Sequence, residues 1–108
     1  MKIDLLYFDG CPSWQNGLDN LRIALNEEGL DTSINLVEVS ADQQVSETSF
    51  LGSPSFQFNG LDFWPEERSA YALSCRVYKT AQGLKGWPTV AMLRLKLQEI
   101  TQNKDSKK

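Results

Sequence analysis

Residues 2–14 read Lys2-Ile3-Asp4-Leu5-Leu6-Tyr7-Phe8-Asp9-Gly10-Cys11-Pro12-Ser13-Trp14. The first half is a short apolar run suited to a buried central strand. The second half turns the chain into a helix, with Pro12 expected at the first helical position, where its missing N–H is no loss. Trp14, Leu18, Leu21 and Leu25 then recur at helical spacing with Ala24 beside them, and Gly29 is placed to end the helix. Cys11 therefore falls between a strand and a helix. A thiol at a helix start faces unpaired backbone N–H groups and the positive end of the helix dipole, both of which favour the thiolate. Trp14 stands where a Cys-x-x-C motif has its second cysteine, so two-cysteine chemistry of the ordinary kind is not written here.

The chain contains no histidine. That removes Cys-His and Ser-His-Asp activation, histidine acid–base chemistry and most zinc sites. Activation of Cys11 must come from the backbone, the helix dipole or a cation. With 108 residues, 41% hydrophobic and 23% charged, the chain has the material for one domain with one core. One domain is expected over 1–103, with 104–108 a flexible tail. The net charge is −3 and the Lys and Arg residues are scattered, which argues against a nucleic-acid partner. No apolar run approaches the roughly 18 residues that span a bilayer, and the N-terminal run carries Asp4 and lacks a signal-peptide pattern. A cytoplasmic location without a membrane partner is the expectation. In a reducing compartment two cysteines are more often reactive or metal-binding than a structural staple.

Further along, Thr32 to Val39 alternates as a second strand. Ser40-Ala41-Asp42-Gln43 has the spacing of a capping box, so a short helix is expected over about 41–49. Gly52-Ser53-Pro54 breaks it, and Ser55-Phe56-Gln57-Phe58 alternates as a third strand. Asn59-Gly60 is a strong hairpin signal, with Leu61-Asp62-Phe63-Trp64 returning as far as Pro65. Glu66 to Leu73 could form one or two helical turns, Gly83 and Gly86 punctuate a loop, and Pro88 opens a last helix with Val90, Leu93, Leu97 and Ile100 on one face. The order is β-α-β-α-β-β-α.

That order, with a cysteine after the first strand and Ser53-Pro54-Ser55 before the third, resembles the thioredoxin/glutaredoxin-like superfamily over roughly residues 2–64 and 87–100. Cys11-Pro12 with a later Cys75-Arg76 is similar to small bacterial thioredoxin-like proteins whose motif lacks the second cysteine. The resemblance implies an α/β fold with a four-stranded mixed sheet flanked by helices. It implies a cis Pro54 lying against Cys11, with the Ser53 backbone freed to pair with a bound substrate strand. Pro12, Ser13, Trp14, Ser53, Pro54 and Arg76 are then the expected substrate-binding residues, and Cys11 the attacking cysteine.

The connection of about 22 residues (65–86) is longer than usual and is released at the Cys11 end of the sheet, which makes it an insertion and a candidate lid. Cys75 lies in its middle, either as a resolving thiol or soft-metal ligand, or as a half-buried packing residue. Distance decides between these, because a disulfide needs Cα atoms within about 7 Å. Arg76 is either a cation for a thiolate or a carboxylate, or an ordinary surface arginine. Trp14 is a helix anchor or a wall beside the thiol, and Phe56, Phe58, Phe63 and Trp64 read as packing.

Three functions fit this reading. The first is thiol–disulfide exchange on a protein or glutathione-like substrate, with Cys11 the nucleophile and Cys75 the candidate resolver. The second is binding of a soft metal such as mercury through the two thiolates. The third is a non-catalytic binding module. The leading reading requires no cofactor and no resident metal, and the sequence leaves the oligomeric state open.

Overall fold

The computed structural model describes residues 2–39, 50–65 and 76–106. Cys75, the helix expected over 41–49 and the turns expected over 66–73 lie outside these residues. The described elements are β1 (Ile3–Tyr7), α1 (Trp14–Glu27), β2 (Ile34–Glu38), β3 (Ser55–Phe58), β4 (Leu61–Asp62), β5 (Tyr78–Thr80), β6 (Gly83–Lys85) and α2 (Val90–Ser106). The fold is mixed α/β. A four-stranded mixed sheet has the order β2-β1-β3-β4, and β5 and β6 form a separate two-stranded sheet.

β1 is the centre of the molecule, as its apolar run predicts. It pairs parallel with β2, Leu5 opposite Leu36, and antiparallel with β3, Leu5 opposite Phe56. Alternation sorts its side chains to two faces. Ile3 and Leu5 join Phe56 of β3, Leu18, Leu21 and Leu25 of α1, and Leu93 and Leu97 of α2 in one buried cluster. Leu6 faces the other way, with Val39 and Phe50.

Both helices open later than their prolines suggest. Pro12 and Ser13 form a turn, and α1 begins at Trp14, after its N-cap Ser13. Pro88 is likewise outside α2. Thr89 caps that helix, its Oγ1 accepting the Met92 N–H at 3.1 Å. At the other end of α1, Gly29 has φ +68°, the Leu30 N–H reaches the Leu25 carbonyl at 2.9 Å and the Gly29 N–H reaches Asn26. This is the six-to-one and five-to-two closure that a left-handed glycine permits. α2 runs on to Ser106, into the residues read as a tail. Among the described residues no helix is long and apolar enough to cross a membrane.

The Asn59-Gly60 turn forms as read. Both residues have positive φ, 52° and 86°, and Phe58 pairs with Leu61 across it. The returning strand is short, ending at Asp62, although the Phe63 N–H still bonds the Phe56 carbonyl at 2.8 Å. The segment read as a glycine-punctuated loop is instead the β5–β6 hairpin, with Thr80 opposite Gly83.

The helices are tied by a polar cluster at the end of α1. Arg94 Nε donates to Glu28 at 2.7 Å, Arg94 Nη1 to Glu27 at 3.2 Å, and Gln98 Nε2 to Glu28 at 2.9 Å. The Arg94 hydrogen bond, then that from Gln98, holds the Glu28 carboxyl below the usual range. A depressed carboxylate stabilises the fold above its unfolded value, near pH 4, and this contribution disappears as pH falls through the lower folded value. The urea midpoint of Arg94→Met is accordingly expected below wild type at pH 7, with the gap closing as the pH falls toward 3. A gap independent of pH would show that the carboxylate is not the partner that matters.

Candidate functional site

The Cys11 turn and the loop leading into β3 meet at the end of the sheet where β1 finishes. The Cys11 N–H donates to the Phe8 carbonyl at 3.1 Å, which closes the turn out of β1. Its side chain is buried, 1% exposed, and the thiol donates to the Ser53 carbonyl at 3.4 Å. The next peptide bond, Ser53–Pro54, is cis. The loop is braced by its own hydroxyls: Ser53 Oγ accepts the Phe8 N–H at 3.4 Å, and Ser55 Oγ donates to the Gly52 carbonyl at 2.5 Å. Cys11 is thus brought to the Ser53–Pro54 peptide, 42 residues away in the chain.

Around them, Pro12 is exposed and Ser13 and Trp14 are half-buried. Trp14 stacks on Tyr7 of β1, ring centres 4.1 Å apart and planes 20° off parallel. Its flat face is engaged by the strand, which fixes the first turn of α1 against the sheet. Ser13 makes no side-chain capping bond, so its hydroxyl does not occupy the first-turn N–H groups of α1.

Arg76 is not a surface arginine. It is 3% exposed, and its guanidinium turns inward. Nη1 bonds both carboxylate oxygens of Asp62 at 3.1 and 2.9 Å, Nη2 the Trp64 carbonyl at 2.6 Å, and the group lies 5.0 Å from the centre of the Tyr78 ring. Two charges buried together in this way are held by hydrogen bonds as much as by attraction. The Arg76 N–H also donates to the Ser53 carbonyl at 3.0 Å. The carbonyl expected to be free for a substrate strand therefore has two internal donors, the Arg76 backbone and the Cys11 thiol.

Comparison with known proteins yields no matching family model, no matching curated protein and no matching solved structure.

Three site-forming residues escaped the sequence reading. Gly17 lets α1 approach the loop: a Cβ there would stand 2.9 Å from Pro54 Cγ and 3.1 Å from Phe56 Cζ. Gly52, at φ +119°, lies against the Arg76 backbone. Tyr78 is buried and donates its hydroxyl to the Pro54 carbonyl at 2.5 Å. A glycine inside the first turn of an amphipathic helix was the one legible signal, since it costs stability unless a close approach requires it. The aromatics behave as packing: Phe56, Phe63, Trp64 and Tyr78 form a cluster of tilted and edge-on rings, with centres 5.4 to 6.4 Å apart.

No group of three or more metal-ligating acid, cysteine or histidine side chains occurs among the described residues. A cleft of about 550 Å³, lined by Lys2, Leu30, Asp31 and Ser33 among others, opens at the start of β1, the opposite pole from Cys11.

Proposed function

We propose that this chain is a thioredoxin-like thiol protein in which Cys11 exchanges with a disulfide. The observation that carries the reading is the placement of the Cys11 thiol, at the turn between β1 and α1, 3.4 Å from the carbonyl that precedes cis Pro54. In the reaction the Cys11 thiol loses its proton to solvent and its sulfur attacks one sulfur of the substrate disulfide. The substrate S–S bond breaks, a mixed disulfide forms on Cys11, and the other substrate sulfur leaves as a thiolate that takes up a proton. In the second exchange, Cys75 attacks the Cys11 sulfur, pairs with Cys11 and expels the remaining substrate sulfur as a thiolate that takes up a proton. A small thiol of the glutathione class that attacks the substrate sulfur instead forms a disulfide with the substrate and expels Cys11 as a thiolate. Pro12, Ser13 and Trp14 border the approach to the thiol, and Ser53 and Pro54 form its floor. Arg76 acts by holding the loop, with its guanidinium committed to Asp62. A reducing, cytoplasmic setting suits such a thiol.

A second reading is a thioredoxin-like binding module without chemistry. It is favoured by the burial of Cys11 and by its thiol donating to a carbonyl, as a packed polar group does. Glutathione disulfide separates the two. Incubated with the native protein, it is expected to add one glutathione to the peptide that contains Cys11, with no such adduct in Cys11→Ser. An unmodified Cys11 peptide, while a model thiol peptide reacts under the same conditions, would leave the binding module as the reading.

A further inference from the structure

We propose that the outer face of the β5–β6 hairpin is a docking surface for the polypeptide that carries the substrate disulfide, a segment rich in acidic and apolar residues. This rests on the reading of Cys11 as the exchanging thiol and names the class of disulfide it meets.

The base of the hairpin is set beside the Cys11 turn. Tyr78 pairs with Lys85 there, and the Tyr78 hydroxyl reaches the Pro54 carbonyl. Gly86, one residue past β6, packs so closely on Ser13 that a Cβ would stand 2.5 Å from Ser13 Oγ. Alternation along the strands then sorts the side chains. Lys79 is opposite Leu84, Val77 lies two residues before Lys79, and Gly86 lies two residues after Leu84. These four share one face, the one that Gly86 turns toward Ser13. Tyr78, which is buried, belongs to the other face.

The shared face is apolar, open and positive. Val77 is 62% and Leu84 67% exposed. They are diagonal neighbours across the two strands, close enough to form one patch, whereas a single exposed apolar side chain would be ordinary surface. From Arg76 to Pro88 the chain carries three cations and no acidic residue. The charge of Arg76 is met by Asp62, while Lys79 and Lys85 form no ion pair among the described residues. On a chain of net charge −3 the hairpin is thus a positive projection, complementary to an acidic partner. Glutathione disulfide offers carboxylates to the lysines but no apolar side chain to Val77 and Leu84. A polypeptide with acidic and apolar residues around its cystine offers both.

The test is the binding of fluorescein-labelled peptides to the full native chain, read by anisotropy at low salt. The probe alternates leucine and glutamate around a central serine, which keeps binding separate from chemistry. It is expected to bind at least about 10-fold more tightly than a leucine–lysine or a serine–glutamate peptide of the same length. In Val77→Ser/Leu84→Ser its dissociation constant is expected to rise about 10-fold, the effect of losing two partly covered apolar side chains. Both side chains are mostly exposed, so this double variant is expected to keep the wild-type melting temperature. Lys79→Glu is expected to weaken binding at low salt, with the gap narrowing as salt is added. Absence of binding, equal binding of the three peptides, or an unchanged dissociation constant in the double variant would overturn the docking surface. Failure of the exchange reading gives a different pattern. The probe then binds as described, yet neither glutathione disulfide nor the symmetric disulfide of the same peptide with a central cysteine modifies Cys11. If glutathione disulfide modifies Cys11 while the double variant binds the probe as wild type does, exchange stands and the docking surface falls.

Discussion

Arg76→Met is expected to lower the stability of the fold by about 3 kcal/mol or more, because it removes the cation from a carboxylate that stays buried. Asp62 sits on β4, and with Arg76 almost no surface of either side chain is open to water. The Trp64 N–H, 2.8 Å from Asp62 Oδ1, is a neutral donor and does not replace the charge of the guanidinium. The Trp64 carbonyl loses its donor at the same time. Urea unfolding at pH 7 gives the value. The double variant Asp62→Leu/Arg76→Met is expected to recover most of the loss, since removing both charges removes the desolvation problem with the attraction. Arg76→Lys is not expected to rescue, because Nη1 serves Asp62 while Nη2 serves the Trp64 carbonyl, and one ammonium nitrogen replaces only one of the two. A loss below 1 kcal/mol in Arg76→Met would mean that the pair does not anchor the connection to β4.

Gly52→Ala is expected to cost about 2–5 kcal/mol from two sources acting together. At φ +119° a side chain is strained wherever there is space, and here there is none. The new Cβ would stand 2.8 Å from Arg76 Cβ and 3.0 Å from both Arg76 Cα and N, atoms that the Asp62 ion pair and the Ser53 hydrogen bond hold in place. Relief requires the Arg76 backbone to withdraw from Ser53. Thermal unfolding measures the loss. Gly60→Ala is the matched control, because it also has positive φ but meets nothing within 4 Å, so it should carry the conformational strain without the collision. Equal melting temperatures for the two variants would show that Gly52 and Arg76 do not pack as described.

Much of the scaffold was readable because it is encoded by neighbours in the chain. The apolar run at residues 3–7 gives the central strand, and the 3.6-residue recurrence of Leu18, Leu21 and Leu25 gives the buried face of α1. Asn59-Gly60 gives a turn in which both residues adopt positive φ, and Gly29 closes its helix in the same way. The boundaries moved by two residues: Ser13 and Thr89, not the prolines, stand directly before the helices, and Thr89 caps its helix.

The β5–β6 hairpin was missed because its loop lacks the usual residues. Ala81 and Gln82 separate the paired Thr80 and Gly83, where Asn-Gly or Asp-Gly would have announced a turn. The loop is held instead by Thr80 Oγ1, which accepts the Gln82 N–H at 3.1 Å and donates to the Gly83 carbonyl at 2.7 Å.

By itself the sequence determined that a cysteine would stand at the junction of the central strand and the first helix, and that no histidine would assist it. Both follow from residue identity and short-range pattern. Tertiary structure alone decided what surrounds the thiol. The Ser53 carbonyl is 42 residues away, Arg76 reaches Asp62 across 14 residues, and Tyr78 meets Pro54 across 24. Side chains this far apart leave no periodic trace in the chain, because hydrogen bonds and ion pairs between buried groups depend on how the packed elements bring them together.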